Sequence, residues 1–133
     1  MNTVIIDEHE VIHIGVREFL ANSSFDVVAH CRSLSDYSQV MAAGASVDLI
    51  LTEATIGGLG PYPVIEAIKK QSGDAKLVIF SEFPSLVRHA ERLGADGFIV
   101  KAVRSFEFVK KLEDLQRYGS LWTSPACDAA ASV

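Results

Sequence analysis

Short runs of β-branched and aliphatic residues alternate along the whole chain with longer segments whose apolar positions recur at helical spacing. The apolar runs are Thr3–Ile6 (TVII), Phe25–Cys31 (FDVVAHC), Asp48–Thr52 (DLILT), Lys76–Phe80 (KLVIF) and Gly97–Val100 (GFIV). Between and after them the spacing predicts helices over Glu10–Ala21, from a cap at Ser35 to Ala43, over Val64–Gln71, from Pro84 to Gly94, and over Ser105–Tyr118. In the first helix Ile12, Val16, Phe19 and Leu20 share one face. Asp48–Thr52 is nearly continuous in hydrophobes, as a strand covered on both faces should be. Strands alternating with helices imply right-handed crossovers, so the expected fold is α/β, a (βα)5 doubly wound five-stranded parallel sheet.

The 133 residues suit one domain, and 49% hydrophobic against 22% charged residues excludes disorder for the bulk of it. The division expected is a domain over 1–120, then a tail or the start of a linker over 121–133, where periodicity is lost. A net charge of −5 argues against a surface that grips nucleic acid by itself. Cys31 and Cys127 have neither metal-ligand spacing nor a nearby partner, so no zinc site or disulfide is expected, and Cys31 reads as a buried thiol. Apolar runs such as Val47–Thr52 are too short to span a bilayer, and MNTVIIDEHE lacks the basic start of a signal peptide. A cytoplasmic chain without membrane contact is expected.

Sites in doubly wound sheets form at the carboxyl ends of the strands. Asp7 and Glu8 follow the first strand, Glu53 the third, Ser81 the fourth and Lys101 the fifth, so these polar residues should meet on one rim. Each has a plainer reading. Acids at 7 and 8 also favour a helix N-terminus through its dipole, Glu53 could be a loop carboxylate, and a serine before a loop is commonplace. Lys101, by contrast, ends an apolar strand, where a lone charge needs a partner. The four histidines show no ligand spacing.

Taken in this order, the constellation resembles the receiver domain of two-component response regulators, the CheY-like superfamily, over about residues 1–120. IIDEHE, including His9, is similar to the acidic-pair motif of the branch with a LuxR-type helix-turn-helix output. RLGADGFIVK is close to the pattern before that family's lysine, and RYGSLWTSP resembles the junction after its last helix. The resemblance implies Mg²⁺ at Asp7 and Glu8, phosphoryl oxygens at Ser81 and Lys101, and a switching aromatic at Phe98. It implies no enzyme activity, a histidine kinase as partner, homodimers, and DNA contact only through an output domain outside these residues.

The phosphoacceptor position departs from the family: DLILTEAT places Glu53 where an aspartate stands. The extra methylene shifts the carboxylate by about 1.5 Å, and a misplacement of that order costs a positioned reaction about 100-fold. Ile56-Gly57-Gly58 also lacks the family's usual proline, Pro61 replaces a usual glycine, and Ala102 stands where some receivers have proline. The chain therefore reads as a pseudo-receiver with Mg²⁺ bound weakly or not at all, its longer acid within reach of Lys101 or Ser81. Two alternatives are a working phosphoreceiver with an unusual acceptor and a flavodoxin-like cofactor binder; the latter lacks a phosphate-cradling glycine run after the first strand. For pairing, Val11 and Ile14 of the first helix and Phe106 and Leu115 of the last stand outside the core stripes.

Overall fold

The computed structural model describes residues 1–122. Its strands are β1 (Asn2–Ile6), β2 (Asp26–Cys31), β3 (Leu49–Thr52), β4 (Lys76–Ser81) and β5 (Gly97–Val100). The helices are α1 (Glu10–Leu20), α2 (Leu34–Ala42), α3 (Pro61–Ser72), α4 (Val87–Arg92) and α5 (Ser105–Tyr118). All strands pair in parallel in the order β2-β1-β3-β4-β5. The chain winds one way from β1 to β2 and the other way from β3 onward. The crevice at the carboxyl ends of β1 and β3 is therefore the topological switch point.

Strand residues alternate between two apolar layers, as period-2 geometry requires. Val4, Ile6, Ile50, Ile79 and Phe98 face α2, α3 and α4, where Tyr37, Ile65, Ile68 and Ala90 meet them. Ile5, Leu49, Leu51, Val78, Phe80 and Ile99 face α1 and α5, against Val16, Leu20, Phe108, Leu112 and Leu115. Phe108 is clamped edge-on by Phe19 and Phe80, with ring centroids at 5.5 and 5.2 Å. Cys31 is fully buried, and that burial, helped by Asp36, pushes its thiol up to about 11. No helix among the described residues is long and apolar enough to cross a membrane.

Several expectations need correction. The cap of α2 is Ser33, not Ser35: its hydroxyl accepts the Asp36 N–H at 3.0 Å, while the Asp36 carboxylate accepts the Arg32 N–H. Helix α3 starts at Pro61 rather than Val64, because proline is pre-set for the first helical turn and has no N–H to leave unpaired. The fourth helical segment opens with a 3-10 turn over Pro84–Leu86. Leu115 is wholly buried, so it belongs to the core and not to an outer face.

Residues 119–122 close back on the sheet. Gly119 takes a left-handed φ of 82° that ends α5 and turns the chain back along β5. The Leu121 N–H then donates to the Asp96 carbonyl at 2.7 Å, its side chain packs over Gly97, and the Trp122 indole N–H donates to the Ala95 carbonyl at 2.7 Å. Leu121 and Trp122 are thus packed on the domain; Cys127 and the rest of the expected tail lie outside the described residues.

Candidate functional site

Backbone pairing fixes the site's acids before their side chains act. The Asp7 N–H donates to the Cys31 carbonyl at 2.9 Å and the Glu53 N–H to the Ile6 carbonyl at 3.0 Å, so both follow their strands in register. The Lys101 N–H does the same to Ser81 at 2.9 Å. Lysine is long and flexible enough to lean back across the strand ends. Its Nζ lies 2.7 Å from Glu53 Oε2 and 2.8 Å from Asp7 Oδ2. The three side chains are 13%, 12% and 2% exposed, in the order Lys101, Glu53, Asp7, so water screens the triplet poorly.

The remaining oxygens are also engaged. Asp7 Oδ1 accepts the His9 N–H at 2.8 Å, and Glu53 Oε1 accepts the Ala54 N–H at 2.7 Å. Glu8 accepts the Gly57 N–H through Oε1 instead of joining the triplet. Gly57 and Gly58 have φ of 59° and 79°, and Ile56 and Leu59 bond to one another across them at 2.9 and 3.1 Å. This is a tight turn that needs positive φ at both centres, which glycine supplies where the family's proline cannot.

Burial works to raise the Asp7 pKa, but the Lys101 ammonium and the N–H and ring of His9 outweigh it and hold the carboxyl below its usual range. Burial likewise works to lower Lys101, and the two carboxylates overcome it, leaving the ammonium raised.

Of the residues singled out in the sequence, Asp7, Glu53 and Lys101 come together. Ser81 is buried; its hydroxyl accepts the Phe83 N–H at 3.3 Å, and among the described residues no side-chain bond joins that hydroxyl to the three. Phe98 is turned inward and 8% exposed, packed with the core beside α4.

The sequence reading missed a histidine pair under this site. His13 Nε2 lies 2.8 Å from the Asp7 carbonyl oxygen, which can only accept, so that nitrogen carries the proton. The ring stacks on His30 of β2 at a centroid distance of 3.1 Å, and His30 lies 3.9 Å from Glu10, which also pairs with Arg32. The available signal was local: His13 shares the helical face of Val16 and Leu20. Burial first, and then neighbouring positive charge, lowers both histidines below their ordinary 6.5, against the Asp7 carbonyl, which works to raise His13.

A pH profile of stability follows. Below 6.5 the unfolded chain binds protons that the buried histidines refuse, so stability falls as pH drops. The Asp7 contribution is present above 3.8 and lost as pH falls through its lower folded value. The Lys101 contribution is complete below 10.5 and lost only as pH rises through its raised value. Thermal melts should show a plateau at neutral to mildly alkaline pH, a decline below 6.5 and a steeper loss below 3.8. His13→Gln should remove part of the first decline; an unchanged profile would mean that His13 titrates as it does in the unfolded chain.

The comparisons with known proteins agree with this geometry. The family model of the response regulator receiver domain matches residues 3–113. The nitrate/nitrite response regulator NarL of Escherichia coli K12 is 23% identical over 111 residues, covering 82% of this chain and 51% of NarL. The response regulator UvrY of Escherichia coli O6:H1 is 25% identical over 127 residues, covering 89% of this chain and 56% of UvrY. The chain therefore spans about half the length of these relatives. Among solved structures, the isolated receiver domain of RcsB from Salmonella enterica serovar Typhimurium shares the fold at TM-score 0.80 and 18% identity, with 97% of this chain and 96% of that one covered. A LuxR family DNA-binding response regulator from Silicibacter pomeroyi aligns at TM-score 0.68 and 27% identity, covering 85% and 89%. With the parallel sheet, the ordered rim of acids and lysine, and these matches together, the chain belongs to the response regulator receiver domain family, in its LuxR-type branch.

Proposed function

We propose that this receiver signals without phosphoryl transfer, as a pseudo-receiver whose internal Glu53–Lys101 pair stands where a phosphoryl group would meet the lysine. The observation that carries this is the 2.7 Å contact between Lys101 Nζ and Glu53 Oε2, with Asp7 closing on the same ammonium at 2.8 Å. A cation that must meet the developing negative charge of a phosphoryl group is here already neutralised. The carboxylates also suit Mg²⁺ poorly: both Asp7 oxygens, both Glu53 oxygens and Glu8 Oε1 face protein donors. Phe98, turned inward, is consistent with a domain held in one signalling state. In a longer regulator, that state would be passed to an output domain that binds DNA; a histidine kinase would be a docking partner rather than a phosphoryl donor.

Incubation with a small phosphodonor and Mg²⁺ should leave the intact mass unchanged, whereas Glu53→Asp should gain some acid-labile label of about 80 Da. Label on Glu53 in the unaltered chain would establish the competing reading, a working phosphoreceiver.

Self-association is the expected output. RcsB, which shares this fold at 18% identity, is described as dimers bound to DNA. Here Val11 and Ile14 of α1 are 70% and 54% exposed, and Phe106 at the start of α5 is exposed as well. Apolar side chains left outside the core stripe favour cover by a second copy, on the same patch of both subunits. Light scattering over a concentration series should show a dimer that Ile14→Asp dissociates without loss of helical signal. A strict monomer at high micromolar concentration would reject it, and a dimer indifferent to Ile14→Asp would move the interface to another face.

A further inference from the structure

A cleft of about 610 Å³ opens above the ion triplet, within the size range of small-molecule sites, about 300–1,000 Å³. Its floor is Asp7, Glu53 and Lys101, and its walls include Val11, Leu59 and Phe83, contributed by α1 and by the segments after β3 and β4. These large apolar side chains are exposed. Water-facing apolar groups converging on one concavity are the usual lining of a ligand site.

The charge of the lining selects the ligand. Asp7, Glu8, Glu53 and Glu82 outnumber the basic side chains Lys101 and His9; two of the acids already hold the Lys101 ammonium, and the His9 ring lies 3.1 Å from Asp7 Oδ1. Glu82 is exposed at the mouth of the cleft beside Phe83. An anion entering here finds no free cation and meets surplus carboxylate. An amine finds carboxylate at the mouth and apolar walls for its body.

We infer that this cleft binds a small organic cation with an apolar body, such as an aryl-alkyl amine, in place of the phosphoryl group. The inference rests on the reading of the site as closed to phosphoryl transfer. Such a ligand would bridge the first helix and the β3 and β4 loops, and so bias the same domain that phosphorylation biases in other receivers.

Phenethylamine is a suitable probe, with phenethyl alcohol, phenylacetate and inorganic phosphate as matched arms, each titrated into the ¹⁵N-labelled chain. The amine should shift the amide signals of Gly57, Gly58, Gly60 and Phe83 with a Kd of about 1 mM or tighter. The alcohol should bind about fivefold more weakly, and the two anions should shift nothing at these positions. Leu59→Ser and Phe83→Ser should each weaken the amine, and Glu82→Gln should bring it down toward the alcohol. Val28→Ser, an equally exposed change on the β2 edge, should leave it unaltered. These are surface replacements, so an unchanged far-UV spectrum is the check that the domain is intact.

No shift with the amine, amine and alcohol binding equally, or shifts scattered away from the cleft would each overturn the proposal. Phosphoryl labelling of the unaltered chain while the amine still binds the cleft would overturn the pseudo-receiver reading and leave the cleft as a ligand site. Labelling without amine binding would remove both.

Discussion

Lys101→Met is expected to destabilise the domain by about 2–3 kcal/mol, somewhat below the 3–5 kcal/mol of a fully buried pair because the lysine keeps a little exposure. The substitution leaves Asp7 and Glu53, each within 3 Å of the former ammonium, facing one another with no cation between them. A domain of this size loses about 3–4 °C in Tm per kcal/mol, so the melting temperature should fall by about 6–12 °C. A second change separates the mechanism from simple loss of packing. Adding Glu53→Gln to Lys101→Met should recover much of the loss by removing one of the two uncompensated charges, although Glu53→Gln alone should destabilise. The deficit should also shrink at acid pH, as Asp7 protonates in the variant. A cost under about 1 kcal/mol would put the triplet among exposed pairs, and the closed-site reading would lose its support.

Gly97→Val should be the other large effect, even though valine favours strands. A Cβ at Gly97 would come within 2.5 Å of Leu121 Cδ1 and 3.0 Å of its Cβ, so the whole leucine must leave, not only its tip. Expelling a buried leucine costs about 2–3 kcal/mol. The neighbouring bond from Trp122 to Ala95 should go with it, at about 1 kcal/mol. Trp122 is the only tryptophan in the chain, so its emission reports this clamp directly. The variant should show red-shifted emission and a lowered Tm, and Leu121→Ala should reproduce both. An unshifted emission maximum in Gly97→Val would mean that residues 119–122 are not held on the β5 edge in solution.

Glu53 and Lys101 were legible in the sequence as partners because each directly follows a strand of the same parallel sheet. Asp7 as the second partner of Lys101 was not, since its strand lies three places from β5 and only a folded lysine shows which way it leans. Glu8 looked equivalent to Asp7 in IIDEHE, yet its carboxylate is drawn off by the Gly57 N–H. That donor is presented only because the Gly57-Gly58 turn faces α1, a relation between segments about 50 residues apart. The His13–His30 stack was hidden for a similar reason: α1 and β2 each place one imidazole by their own local geometry, and only their packing makes a pair.

Local and periodic features were written in the order of the residues. β5 and α5 fall on the residues that their apolar spacing marks, and the strand–helix alternation dictates a parallel sheet with its site at the carboxyl ends. Helix-terminus chemistry was already less secure, as Ser33 against Ser35 shows: both are serines, and it is Ser33 whose hydroxyl accepts the Asp36 N–H while the Asp36 carboxylate accepts the Arg32 N–H. Packing across the sheet was needed to show that Lys101 is shared by two acids, that the Ser81 hydroxyl stays outside their side-chain network, and that Leu121 and Trp122 close on the start of β5. The physical reason is range. Hydrophobic burial acts through a pattern repeated every two or three to four residues, which a chain displays in its own order. Hydrogen bonds and ion pairs depend on separations of about 3 Å between groups far apart in that order, and those distances exist only once the sheet has set which strands are neighbours.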